Sequence, residues 1–310
     1  MSVAFPQGGP ALTCYRHRDR PTGLGCSRCG RPACPECLRP AAVGQHCLEC
    51  LRADGAVQPR QVRRGLTGHA VAPAVAQPRT MRYPFLTYGL IAVNVIIFVV
   101  CVGQAGGTDM LDSSLFTDWA LFKPFVADGE YWRLITAGFL HFSLTHVGVN
   151  MLSLYLLGRD LEPAIGYPRY AGVYLASLVG GSAAVMLFAG DLTINAGASG
   201  AIYGLMGAML VIVLHMRASP VPVLSIIGLN VVLSITVPGI SLAAHLGGLL
   251  FGALATAGLI YVPRLAGEGF RGAAAASRLG WAVIVTLLVV GMAIGVGAAL
   301  SYESTLTIIR

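Results

Sequence analysis

Gly197-Ala198-Ser199-Gly200-Ala201-Ile202-Tyr203-Gly204 opens an apolar stretch that runs on to Met216, and Ala243-Ala244-His245-Leu246-Gly247-Gly248 opens a second. A hydroxyl and an imidazole placed inside such stretches are hard to explain as packing. Polar side chains in hydrocarbon are costly and usually functional. Glycines four apart, Gly200 and Gly204 on one stretch and Gly248 and Gly252 on the other, let two helices approach closely enough for a hydroxyl–imidazole bond.

The whole composition agrees with a lipid setting. The chain of 310 residues is 55% hydrophobic and only 11% charged, with a mean hydropathy of +0.70. That balance belongs to polytopic membrane proteins rather than soluble domains. The net charge of +7 sits on the N-terminal segment and short loops. It reads as a membrane-orientation signal, and no nucleic-acid partner is expected.

Three zones follow one another: a Cys-rich segment within 1–52, a Pro-, Arg- and Gln-rich linker over 53–82, and a membrane domain over 83–302. Seven spans are expected, at 85–103, 144–162, 170–190, 199–217, 221–238, 242–262 and 279–300. The fifth is short and bounded by Pro220, Pro222 and Pro238. No cleavable leader precedes the first span, which is expected to act as an anchor. Segment 104–143 reads as a structured interfacial loop whose Phe125, Trp119, Tyr131 and Trp132 suit the membrane boundary.

Arginines set the orientation. Arg60, Arg63, Arg64, Arg79 and Arg82 precede span one, Arg159 and Arg169 flank the turn between spans two and three, Arg217 follows span four, and Arg264, Arg271 and Arg278 lie between spans six and seven. With all of these inside, only Lys123, Arg133 and Arg310 face out. The positive-inside rule then places the N-terminus in the cytoplasm of a multi-pass cell-membrane protein.

That topology brings the polar residues to one level. Spans two, four and six all begin outside, so His146 and Asn150, one helical turn apart, join Ser199 and His245 near the outer surface. His245 is placed to act as base for a Ser199 nucleophile. His146, Asn150 and the Ser199 backbone N–H supply donors for an oxyanion. No acid stands where it would orient His245, so a dyad is expected. Tyr203, one turn after Ser199, is expected to pack on the His245 ring. His141 either caps the site or sits at the interface, the structural role being favoured; His215 reads as interfacial, Met206 and Met209 as packing, and Cys101 as an apolar filler.

In these motifs the chain resembles the rhomboid intramembrane serine proteases: His141-x4-His146-x3-Asn150, Gly197-x-Ser199-Gly200-x2-Tyr203, Ala244-His245-x2-Gly248-x3-Gly252, and Trp132-Arg133 in the first loop. The resemblance covers about 83–300. It implies an all-α polytopic membrane protein, a rhomboid-like six-helix core plus one C-terminal transmembrane helix. It implies Ser199 as nucleophile, His245 as general base, and His146, Asn150 and the Ser199 amide as oxyanion hole. Gly197 shapes the loop before the nucleophile. The substrates implied are single-pass membrane proteins, cut within the lipid bilayer and admitted by a gate near span five, with no cofactor for catalysis. A catalytically silent relative that binds membrane helices is the alternative, and a small-solute transporter a third reading that lacks mid-membrane charge pairs.

Ahead of the membrane domain, Cys14-x2-His17, Cys26-x2-Cys29, Cys34-x2-Cys37 and Cys47-x2-Cys50 make eight N/S ligands, enough for two structural Zn²⁺ sites. A reducing cytoplasm and an odd count of seven cysteines disfavour disulfides. Spacing alone leaves the pairing of half-sites open, with His46 as a substitute for Cys47. The segment resembles B-box-like zinc fingers, which implies an interleaved pattern of first pair with third and second with fourth. A domain of this size needs its metal to fold. A cytoplasmic protein is its expected partner.

Overall fold

Inside a bilayer every backbone amide must find its partner within the protein, which leaves an apolar stretch little choice but the helix. The computed structural model describes residues 12–40, 44–53, 83–107, 109–265 and 273–309. The linker expected over 53–82, apart from Ala53, lies outside them with Arg60, Arg63, Arg64, Arg79 and Arg82, as do Arg271 and Arg310. The chain divides into two compact units, Met1–Pro78 and Arg79–Arg310.

In the first unit a 3-10 turn, Pro35–Cys37, leads into strand β1 (Leu38–Pro40), which pairs antiparallel with β2 (Gln45–Cys47), followed by α1 (Leu48–Ala53). Its buried interior consists of Cys14, Cys26, Cys34, Cys37 and Cys47 with Ala33 and Leu38. An interior made mostly of thiols offers little hydrophobic free energy.

In the second unit all seven expected apolar stretches are helices: α2 (Phe85–Ala105), α6 (Leu144–Ile165), α7 (Tyr167–Phe188), α8 (Ser199–His215), α9 (Val221–Thr236), α10 (Leu242–Leu265) and α11 (Ala273–Ile309). Three short helices lie between the first two, α3 (Ser114–Trp119), α4 (Lys123–Ala127) and α5 (Arg133–Thr136). Helices α2, α7, α10 and α11 are long and apolar enough to cross a bilayer. The segment Arg133–Phe139 and α6, bent by 93°, qualify as one broken span. Helices α8 and α9 have only 17 and 16 residues, short of the ~20 needed to cross the hydrocarbon core. Among the described residues, then, four of the seven expected spans meet the length for a crossing, or five with the bent pair, and α8 and α9 are shorter apolar helices.

Helix α7 is the hub, with 78% of its apolar window buried. Helices α2, α9 and α11 instead present apolar side chains outward, among them Ile96, Val99, Leu229, Ile235 and Val289. This is the surface of a multi-pass membrane protein, for which lipid tails are as good a solvent as a protein interior.

The loop at 104–143 is structured, as expected, and one cation organises it. Arg133 is 3% exposed; it donates from Nη1 to the carbonyls of Thr117 (2.5 Å) and Ala120 (2.9 Å) and pairs with Glu130. Trp132 beside it is 52% exposed, Tyr131 39% and Phe125 40%. The charge is buried and the aromatics face outward.

The sequence reading passed over Glu162. This carboxylate, 3% exposed, accepts from the N–H groups of Leu86 (2.9 Å) and Thr87 (2.7 Å) and from the Thr87 hydroxyl (2.8 Å). The first turn of α2 has no cap of its own; α6 supplies one from 75 residues away, where the helix dipole favours a negative charge. Replacing Glu162 by Ala strands those donors and is expected to destabilise the membrane unit by about 1–3 kcal/mol. Thermal unfolding in detergent reads this as a lowered midpoint, partly restored in Glu162→Gln.

Candidate active site and metal clusters

Helices α8 and α10 meet backbone to backbone. A Cβ at Gly248 would collide with the Gly200 carbonyl, and one at Gly252 with the Gly204 carbonyl. With no side chains between them, Ser199 on the first turn of α8 and His245 on the first turn of α10 come within reach, Oγ to Nε2 2.8 Å. The Tyr203 ring lies flat on the imidazole, centroids 3.9 Å apart and planes 16° apart. These contacts sit in an open cavity of about 970 Å³ lined also by His146, Asn150 and Ser234.

The turn before Ser199 is set by Gly197, whose φ of +137° is open to glycine and strained for other residues. A Cβ there would also lie 2.9 Å from His146 Nε2. Three backbone bonds hold this turn: Gly197 N–H donates to the Ala137 carbonyl (2.9 Å), and Leu121 and Asn195 exchange two bonds of 2.9 Å. The first helical bond of α8 is Ile202 N–H to the Ala198 carbonyl. The N–H groups of Ser199, Gly200 and Ala201 are thus left without helical acceptors at the positive end of the dipole.

His146 arrives on the first turn of α6, capped by Ser143, whose Oγ accepts from the His146 N–H (3.2 Å). Its Nδ1 accepts from the Phe142 N–H (3.4 Å), which directs the rest of the ring toward Gly197 and Ser199. Asn150 lies one turn deeper and donates to the His146 carbonyl (2.9 Å). That bond uses one of its two amide N–H donors and leaves the other available. His141 is not interfacial: it is 1% exposed, edge-on to the His146 ring, and neither of its nitrogens hydrogen-bonds among the described residues. His215 is near the inner end of α8, within 3.1 Å of Arg264. Met206 and Cys101 are buried.

Ser234 on α9 went unnoticed in the sequence. Its Oγ lies 2.7 Å from His245 Nδ1 and 3.0 Å from the Tyr203 hydroxyl. A signal did exist. The expected topology runs span five outward, which would bring its last turn to the level expected for Ser199, but one serine in an apolar helix resembles any other.

In the first unit the half-sites interleave. Cys14, His17, Cys34 and Cys37 form one cluster, and Cys26, Cys29, Cys47 and Cys50 the other, each with ligand atoms within 4.8 Å of one another. Cys47, and not His46, completes the second. His17 Nδ1 is 3.4 Å from Cys34 Sγ and 3.5 Å from Cys37 Sγ, and Cys29 and Cys47 are 3.7 Å apart. Ligands about 2.0–2.3 Å from a tetrahedral Zn²⁺ stand at such separations. Burial raises the Cys14 and Cys26 thiols, but surrounding backbone N–H groups win and draw both down to about 6. Burial and the adjacent thiols push Cys37 up to about 11 and Cys50 up to about 12. Three thiolates in one cluster and four in the other repel one another in so small a space, a repulsion that a dication would relieve. The donor sets fit a metal ion.

The rhomboid domain family model matches residues 128–262. The chain is 33% identical over 181 residues to the rhomboid protease GluP of Bacillus subtilis, covering 57% of this chain and 35% of that protein. It is 35% identical over 196 residues to the mitochondrial RHOMBOID-like protein 6 of Arabidopsis thaliana, covering 57% of this chain and 62% of the relative. It is also 34% identical over 134 residues to a second Bacillus subtilis rhomboid, YdcA, covering 42% of this chain and 67% of that protein. The chain thus spans about a third of GluP and just over three-fifths of the plant protein.

Proposed function

Because this chain belongs to the rhomboid family, we propose that it is a serine endopeptidase cutting membrane-protein substrates within the bilayer. The reading rests on the 2.8 Å contact between Ser199 Oγ and His245 Nε2 across α8 and α10. Ser199 Oγ attacks the scissile carbonyl carbon while its proton passes to Nε2. The oxyanion receives the Ser199 N–H, the His146 ring and the second N–H of the Asn150 amide. The C–N bond then breaks, Nε2 returns its proton to the departing amine, and an ester to Ser199 remains. Water entering the open cavity attacks that ester and gives its proton to Nε2. The proton finally goes to Ser199 Oγ as the acid product leaves. Gly197, Tyr203 and Gly248 shape the site, and no cofactor enters these steps.

Residues 1–52 are proposed as a B-box-like domain holding two structural Zn²⁺ ions, 53–82 as linker and 83–302 as the protease domain. The arginine distribution supports a cytoplasmic N-terminus. In that compartment thiolate–metal sites persist, and the zinc domain is available to a cytoplasmic protein.

A fluorophosphonate probe on the full chain in detergent is expected to label wild type, to miss Ser199→Ala entirely, and to label His245→Ala at least ~10³-fold more slowly. Equal labelling of wild type and Ser199→Ala would end the reading, and no labelling of either would favour the silent helix binder. Metal analysis should find two zinc ions per chain, one in Cys14→Ser/Cys34→Ser. Strong chelators should release both and abolish the protease resistance of the N-terminal unit.

A further inference from the structure

A serine hydroxyl has one proton to give and two lone pairs. At Ser234 three neighbours compete for them: the Asn230 carbonyl at 2.7 Å, His245 Nδ1 at 2.7 Å and the Tyr203 hydroxyl at 3.0 Å. A carbonyl can only accept, so the Ser234 proton goes to Asn230. Both lone pairs are then left for donors, which makes Nδ1 the protonated nitrogen of His245 and Tyr203 the second donor. One arrangement satisfies every group. In it the lone pair of His245 lies on Nε2, facing the Ser199 hydroxyl.

The position of Ser234 supports this. Only Ile227 and Ser234 are buried on α9; their neighbours Leu229, Val232 and Ile235 face outward. Serines in membrane helices commonly return their proton to the carbonyl four residues earlier, as this one does. That habit accounts for the proton and leaves the lone pairs unexplained. Among the described residues no carboxylate hydrogen-bonds to His245, so a neutral oxygen has the role an aspartate has in other serine hydrolases.

We propose that Ser234 is a positioning residue, fixing from α9 the Nδ1–H tautomer that leaves His245 Nε2 free to take the Ser199 proton. The proposal deepens the proteolytic reading and rests on its assignment of nucleophile and base. Ser234 gains and loses no proton. When Nε2 accepts from Ser199, the Nδ1–H bond to Ser234 Oγ becomes charge-assisted and stabilises the imidazolium; it relaxes once the proton passes on.

Tautomer and turnover can be read separately. The full chain, ¹⁵N-labelled at histidine in detergent micelles, is expected to show His245 with Nδ1 protonated and Nε2 bare, the signals being assigned by their loss in His245→Ala. Ser234→Ala and the equally compact, weakly accepting Ser234→Cys should shift His245 toward the other tautomer. Both should lower kcat and the fluorophosphonate labelling rate by ~10- to 100-fold with KM little changed, and Ser234→Thr should restore both readouts. A wild-type tautomer and rate in Ser234→Cys, or a threonine variant as impaired as alanine, would overturn the assignment. Should wild type display the Nδ1–H tautomer yet react with no probe, the proteolytic reading fails while the role of Ser234 in orienting the ring stands.

Discussion

Backbone touching backbone between α8 and α10 is the constraint on which the rest of the membrane unit depends. The carbonyls of Gly200 and Gly204 occupy the space that Cβ atoms would need at Gly248 and Gly252. Dispersion between closely packed surfaces, rather than exclusion of water, holds helices together in lipid. The same approach determines what the two first turns can reach. Were the axes separated by side chains, Ser199 and His245 would face each other across a gap too wide for a 2.8 Å bond. Packing and chemistry are therefore one requirement here, and each glycine of the pair serves both.

Polar groups buried in this unit fall into two kinds. Glu162 and Arg133 are charged and deeply buried; Glu162 is engaged by the far-off start of α2, and Arg133 by carbonyls of its own loop and by Glu130. They resolve backbone groups that helix ends and loops leave unpaired, which is how a buried charge becomes tolerable. Around Ser199 the arrangement is different. The α8 amides lack helical acceptors, Asn150 is held only by its own helix, and among the described residues both nitrogens of His141 are unpaired. N–H donors without acceptors thus gather beside Ser199, the arrangement on which the proposed oxyanion site rests.

The N-terminal unit follows other physics. Its core is a set of sulfur atoms, and the opposite displacements of thiol acidity within each cluster express a repulsion that a metal ion removes. A unit with so little apolar interior would draw much of its folding free energy from a bound metal ion.

The helices, the two pairs of glycines and the polar side chains within apolar stretches are all legible from the chain alone, because an apolar stretch in lipid has one regular solution and a polar residue within it stands out. So are the eight Cys and His donors of the two clusters, since spacing within each pair is local. Only the tertiary structure decided how the half-sites pair, that Glu162 caps α2, that Asn150 is turned toward its own helix, and that Ser234 reaches His245. All but the Asn150 bond, which stays within one helical turn, are contacts between different segments, made by residue types that are unremarked where they stand. The sequence records what a side chain can do, and only the packing of helices decides which atom it meets.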